Sequence, residues 1–221
     1  VEGVKDGQVY GIDLNNRPLL WKNDARDLQN IETVRPMDAV WASNMVDFGQ
    51  FLLIAGYEDG LMGIDADQFG YSETIMGSDA LGGIAMDVAH LDAETLLVAR
   101  LENGVAVVDF KDLSNLTVVG EFIPQPDGEN IYAVRKVVTG DGYAAVLERY
   151  LNEQGDGVGR VRYLDLDDPT HPADLGTIDL GKPYASVPVL FTSGEFLYSL
   201  TSNCAADGSC SSRILVLQVK E

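Results

Sequence analysis

Two cysteines, two histidines and two tryptophans are all that 221 residues supply of the side chains most used in redox, acid–base and quinone chemistry. A histidine-centred active site needs its groups placed together. His90 and His171 fall in different segments, one on an inner strand facing an axial channel and the other in a turn, so no catalytic residues are assigned. Basic residues are also few: 15 Lys and Arg against 35 Asp and Glu, a net charge of −20. That balance repels phosphate backbones and excludes a nucleic-acid footprint. Between Arg35 and Arg100 there is no cationic side chain, yet eleven acids occur there, among them Asp47, Glu58, Asp59, Glu73 and Asp79. This sector suits a cationic partner or a divalent ion, or serves as a solubilising surface. No run reaches the roughly 18–20 apolar residues of a membrane-spanning helix. A signal peptide is not evident, but the sequence opens mid-pattern at Val1, so a processed or trimmed N-terminus is expected.

What the sequence has in quantity is repetition. Five times a turn with Gly or a polar residue leads into a hydrophobic strand closing on an acid or amide. The copies are Gln8 to Leu14, Gly60 to Ala66, Gly104 to Phe110, Gly159 to Leu166 and Ser212 to Val219, with markers Asp13, Asp65, Asp109, Asp165 and Gln218. Spacings of 52, 44, 56 and 53 residues between short strands are those of β-propeller blades, whose repeats run to about 40–50 residues. The expectation is therefore an all-β fold, a β-propeller of four-stranded antiparallel blades in one domain over 1–221. Hydrophobic content of 46% suffices for its core.

The blades read as a partial first one over 1–30, then 36–77, 83–123 and 131–180, and a partial fifth over 184–221. Inner strands are expected at Met37–Ala42, Ile84–Leu91, Tyr132–Val138 and Tyr184–Leu190. The first blade supplies only its latter half and the fifth lacks its outer strand. Either the ring has five blades or the chain is part of a larger ring. In that second case the exposed inner strand would seek another segment or subunit to pair with.

Two stretches carry a family resemblance. Asp165-Leu-Asp-Asp-Pro-Thr-His-Pro-Ala-Asp-Leu-Gly-Thr resembles the ID-x-S/D-x-P-x-x-P-x-x-x-G stretch of LVIVD-type propeller repeats, and Asp109-Phe-Lys-Asp-Leu-Ser-Asn-Leu-Thr-Val-Val-Gly follows it without the prolines. The resemblance implies a secreted or cell-surface propeller. Gly7 to Trp21 also resembles a quinoprotein-type repeat ending in Trp.

Four constellations bear on function. Cys204 and Cys210 flank five residues around Asp207-Gly, a hairpin tip that a disulfide can close. Zinc would want further Cys or His partners. Pairing implies an oxidising, extracytoplasmic compartment. Asp38 and Asp87 both follow Met in matching contexts, so inner-strand acids of adjacent blades would converge near the axis, where two carboxylates could hold Ca²⁺ or cap an inter-blade turn. Met37, Met45, Met62, Met76 and Met86 read as core filling rather than a copper site. Finally, Arg149, Tyr150, Asn152, Glu153 and Asp156 fall in a long turn of the fourth blade, and Asn203 and Asp207 in the equivalent turn of the fifth. Adjacent long loops on a rigid scaffold favour binding.

The reading adopted is a non-catalytic extracytoplasmic module that uses these rim loops and the acidic sector for a protein partner or self-assembly. Its rivals are a propeller enzyme (a hydrolase or a fragment of a quinone-dependent dehydrogenase) and a carbohydrate-binding propeller.

Overall fold

The computed structural model describes residues 3–5, 8–13, 19–24, 26, 33–36, 44–48, 51–66, 73–125, 133–151, 157–181, 189–193, 196–204 and 210–218. Its strands form five antiparallel sheets, each meandering in chain order. The first holds β1 (Gly3–Lys5), β2 (Gln8–Asp13), β3 (Leu19–Asp24) and β4 (Thr33–Pro36). The second holds β5 (Met45–Phe48), β6 (Phe51–Ala55), β7 (Leu61–Asp65) and β8 (Glu73–Met76), followed by one helical turn, α1 (Ser78–Leu81). The third holds β9 (Asp87–His90), β10 (Thr95–Ala99), β11 (Val105–Asp109) and β12 (Thr117–Phe122). The fourth holds β13 (Ala133–Thr139), β14 (Tyr143–Leu151), β15 (Gly157–Asp165) and β16 (Ala173–Gly181). The fifth holds β17 (Val189–Ser193), β18 (Phe196–Cys204) and β19 (Cys210–Gln218).

Consecutive first strands are neighbours: β1 meets β5, β5 meets β9, β9 meets β13 and β13 meets β17. Sheets whose first strands line an axis while their faces pack on one another are propeller blades. The packing follows from period-two alternation. Leu53, Ala55 and Leu61 of the second sheet meet Leu96, Val98, Ala106 and Val108 of the third. The opposite face of the third, Leu97, Ala99, Val105 and Val107, meets Ala144, Val146 and Leu164 of the fourth. Ala145, Leu147 and Val161 then meet Leu190 and Leu197 of the fifth. Each central sheet is buried on both faces, which is why its strands read as continuous apolar runs.

The marker acids that end the third strands of the third and fourth blades are turn caps. Asp109 Oδ1 accepts from the Lys111 N–H at 3.0 Å and Asp165 Oδ1 from the Asp167 N–H at 2.9 Å. Three residues on, Asp112 Oδ1 accepts from the Ser114 N–H and hydroxyl, and Asp168 Oδ1 from those of Thr170. These Asx turns fold the chain back into the outer strand. The hydroxyl bond, followed by the backbone bond, holds both carboxyls below the usual range. The glycines that end the two motif stretches lie beside bulges in β12 and β16. Gly120 is required by proximity, since a Cβ there would lie 2.1 Å from Pro169 O of the next blade; Gly176 has φ +127°.

Three expectations are corrected. The first sheet has four strands reaching Pro36 instead of a half-blade ending near residue 30, and Gln8–Asp13 is its second strand rather than its third. The inner strand of the second blade is Met45–Phe48; residues 37–42, expected to form it, lie outside the described residues. The inner strand of the fifth is Val189–Ser193, five residues beyond the expected start at Tyr184.

Candidate functional site

The second and third strands of each blade form a central hairpin. In the second and third blades these strands are five residues long. In the fourth and fifth they are nine. Register fixes where the excess lies. Thr95 pairs with Asp109, Tyr143 with Asp165 and Phe196 with Gln218, so all three hairpins start level. The extra residues, 148–151 with 157–160 and 201–204 with 210–213, extend the far end. Four residues add about 13 Å of strand. The connections do not differ, because residues 56–60, 100–104, 152–156 and 205–209 are five each. The expected long turns are thus long strands ending in turns of ordinary length.

The short hairpins are stopped by specific chemistry. Tyr57 and Leu101 adopt φ of 56° and 52°, and bridge to Ala85 and Val134 of the following blade. Gly60 and Gly104 are held at φ +79° and +74° with Met76 O and Phe122 O only 2.2 and 2.0 Å from where a Cβ would stand. Arg100 is buried beneath its turn and donates to Leu81 O (2.7 Å), Asn103 O (2.8 Å) and Val105 O (3.3 Å), and to Glu121 (2.7 Å). In the fourth blade the level residue is Glu148. Its buried carboxylate accepts from Arg162 Nε at 2.5 Å, and Arg162 also pairs with Asp174.

Arg149 and Tyr150 therefore stand on the projecting part of β14, paired with Gly159 and Val158, and not in a turn as expected. Arg149 is exposed and its guanidinium lies beside Gly157. Tyr150 is half-buried under the Arg160 guanidinium, which sits 4.6 Å from its ring centroid and 3.4 Å from Asp179. Sequence reasoning missed Arg160, although its alternation with Arg162 and Val161 along one strand marked it. Asn203 likewise lies on β18, opposite Ser211. Asn152, Glu153, Asp156 and Asp207 lie outside the described residues. Cys204 and Cys210 are directly paired positions of β18 and β19. Opposed Cα atoms in antiparallel strands stand about 4.5–5.5 Å apart, within disulfide reach.

At the axis, register corrects the proposed pairing of acids. Ala99 pairs with Asp87, Leu147 with Lys136, and the Ala55 N–H donates to Asn44 O. The residues level with Asp87 are therefore Asn44 and Lys136, not Asp38, Ala133 or Ala185. Asp38 lies outside the described residues. Side chains at this level reach the next blade: Asn44 Nδ2 donates to Val88 O (3.3 Å), and Asp87 Oδ2 accepts from the Val137 N–H (2.9 Å) with Lys136 Nζ at 3.9 Å. Burial raises the Asp87 carboxyl above its usual range despite Lys136. Three residues on, a second belt runs backwards. His90 Nε2 donates to Asp47 O (2.5 Å), Thr139 Oγ1 to His90 O (2.6 Å) and Thr192 Oγ1 to Thr139 O (2.9 Å). Both axial belts join blade to blade, and Asp87 and His90 are structural clasps.

A cleft of about 380 Å³ lies between α1 and β12, lined by Leu81, Gly82, Val118 and Glu121 among others. Its one ionisable lining residue, Glu121, is paired with Arg100. Among the described residues no three His, Cys, Asp or Glu side chains are grouped to hold a metal. No helix described is long and apolar enough to cross a membrane.

No protein-family model matches the chain, and a search of curated proteins gives no match. Solved structures do resemble it. BamB from Moraxella catarrhalis is 12% identical with a TM-score of 0.50, over 96% of this chain and 75% of that one. The S. cerevisiae assembly of Dbp5 with Nup159 and Gle1 contains a chain 11% identical, TM-score 0.54, over 94% of this chain and 58% of that one. A computationally designed protein, Ika8, is 9% identical with TM-score 0.50, over 96% and 69%. At such identities the likeness establishes the fold, a β-propeller of four-stranded blades.

Proposed function

We propose that this chain is a non-catalytic interaction module of the extracytoplasmic space, an LVIVD-like propeller whose protein partner is held by the projecting hairpins of the fourth and fifth blades. One observation carries the reading: two adjacent hairpins run about 13 Å past the level at which their neighbours turn. The described side chains of the extension are of the interface type, with Arg149 offering a planar fork and Tyr150 a broad ring already stacked by Arg160. The Cys204–Cys210 pair would stiffen the second hairpin and requires an oxidising compartment. An enzyme finds less support, since among the described residues Asp87, through Oδ2, and His90 hydrogen-bond from blade to blade at the axis.

The test is to replace residues 149–159 and 202–212 each by a three-residue turn, which keeps Glu148 and Arg162. Loss of partner co-purification from native cells, with the fold intact by circular dichroism, supports the proposal. Retention of the partner, combined with its loss on charge reversal at Glu58, Asp59, Glu73 and Asp79, would move the contact to the acidic sector.

A further inference from the structure

We infer that Asn115 is an N-glycosylation site, which takes an oligosaccharide from a phosphate-linked lipid carrier. It is the only asparagine in the sequence followed two positions on by Ser or Thr, in Asn115-Leu116-Thr117, and the middle residue is not proline. That triplet is the acceptor for N-linked transfer on surface loops of secreted proteins, so the inference rests on the extracytoplasmic reading above. Its setting makes it available. The triplet joins the Asx turn after β11 to the first residue of β12. Asn115 and Thr117 are exposed, while Leu116 between them is half-buried against the core shared by the second and third blades. The acceptor amide and the hydroxyl it needs are thus presented to solvent on either side of an anchored leucine.

The turn does not use the acceptor. It is held by Asp112, whose Oδ1 takes the Ser114 N–H and hydroxyl at 2.9 and 2.6 Å, and whose backbone carbonyl takes the Asn115 N–H at 2.9 Å. Among the described residues the Asn115 side chain has no hydrogen-bond partner. The matching turn of the fourth blade is built in the same way from Asp168 and Thr170, with the His171 N–H on Asp168 O at 3.0 Å. There the side chain at the place of Asn115 is His171, which bonds Asp168 Oδ2 at 3.1 Å, and Pro172 and Ala173 follow. One scaffold therefore carries the triplet in one blade and none of its requirements in the next. The site also stands away from the hairpins proposed to hold the partner. The turn leaves from the end of the sheet where Thr95 pairs with Asp109, and the projecting residues extend the opposite end.

In the transfer, Asn115 Nδ2 bonds to C1 of the first sugar, and the bond from C1 to the carrier's phosphate oxygen breaks. The lipid phosphate leaves with the electron pair, and the Nδ2 proton passes to a base of the transferase. Nothing is oxidised or reduced.

The experiment is mass spectrometry of the protein purified from its native cells and digested with trypsin without reductant. Cleavage after Lys111 and Arg135 releases the triplet in one peptide, 112–135. The expected result is a population of that peptide heavier by a whole number of sugar residues, with fragmentation placing the added mass on Asn115. Asn115→Gln and Thr117→Val should each abolish the heavier species, and Thr117→Ser should keep it. All three changes are at exposed positions, and circular dichroism checks that the fold is retained. Finding only the unmodified peptide would overturn the inference. In that case a bonded Cys204–Cys210 pair in the same digest would leave the extracytoplasmic reading standing, and free thiols would remove it as well. A mass on Asn115 that persists in Thr117→Val would not come from transfer to this triplet and would overturn the inference equally.

Discussion

At the end of the second strand the third blade places Arg100 and the fourth places Glu148, level in register and buried on the same side of their sheets. Arg100 spends its guanidinium on the carbonyls of its own turn and of α1, and the hairpin stops. Glu148 has no donors to give those carbonyls. It takes Arg162 from across the hairpin, and the strands continue for four more residue pairs. One charge inversion thus accompanies the difference between a turn locked to the next blade and a hairpin that projects. Burying either group is costly unless it is paired and hydrogen-bonded, so each blade is committed to its form.

The sharpest way to break the comparison is Glu148→Ala. It strips the carboxylate from a buried Arg162 and should cost about 3–5 kcal/mol of stability, read by urea unfolding. Next in size is Gly104→Ala, which forces a Cβ into positive φ and against Phe122 O, for a loss of about 2 kcal/mol or more. Its counterpart in the long hairpin, Gly157→Ala, displaces only the mobile end of Arg149 and should stay within about 0.5 kcal/mol. Similar losses at the two glycines would remove the distinction between locked and projecting hairpins.

Two titrations sharpen it further. Asp87 has a raised carboxyl in the folded state, so the folded chain binds more protons than the unfolded one across that interval. Stability should therefore fall as pH rises from the ordinary carboxylate range through the raised value, and Asp87→Asn should flatten that slope. In the fourth blade Tyr163 replaces Val107 of the third, and burial, with Tyr143 nearby, pushes its phenol from 10.0 up to about 12. Alkaline absorbance titration should show a late-ionising phase that Tyr163→Phe removes, with stability declining between those two values. The shortened hairpins should change unfolding free energy by about 2 kcal/mol or less, since Val158 is the one apolar side chain among the described excised residues that is buried.

What the sequence made legible follows the burial. Third strands such as Val105–Asp109 are buried on both faces and close on an Asx-turn acid, so they stand out as apolar runs with a marker. The same pattern misled at Gln8–Asp13, because an apolar strand ending in Asp does not encode which place in the sheet it takes. The inner strands of the second and fifth blades were misplaced because they are only four and five residues long, too short to show a clear alternation. The bulge between Val134 and Lys136, which sets Lys136 level with Asp87, has no sequence mark at all. The projecting strand ends were read as loops for a related reason. Stretches such as Glu148-Arg149 and Ser202-Asn203 break the hydrophobic alternation on which strand assignment depends.

The central claim is that the projecting hairpins, and not the acidic sector, meet the partner. Photo-crosslinking in the native cell tests it most directly, with a benzophenone amino acid placed at Tyr150 in one variant and at Glu58 in another. The account predicts a covalent adduct to one protein from position 150 and none from position 58. An adduct from position 58 with none from position 150 would contradict it.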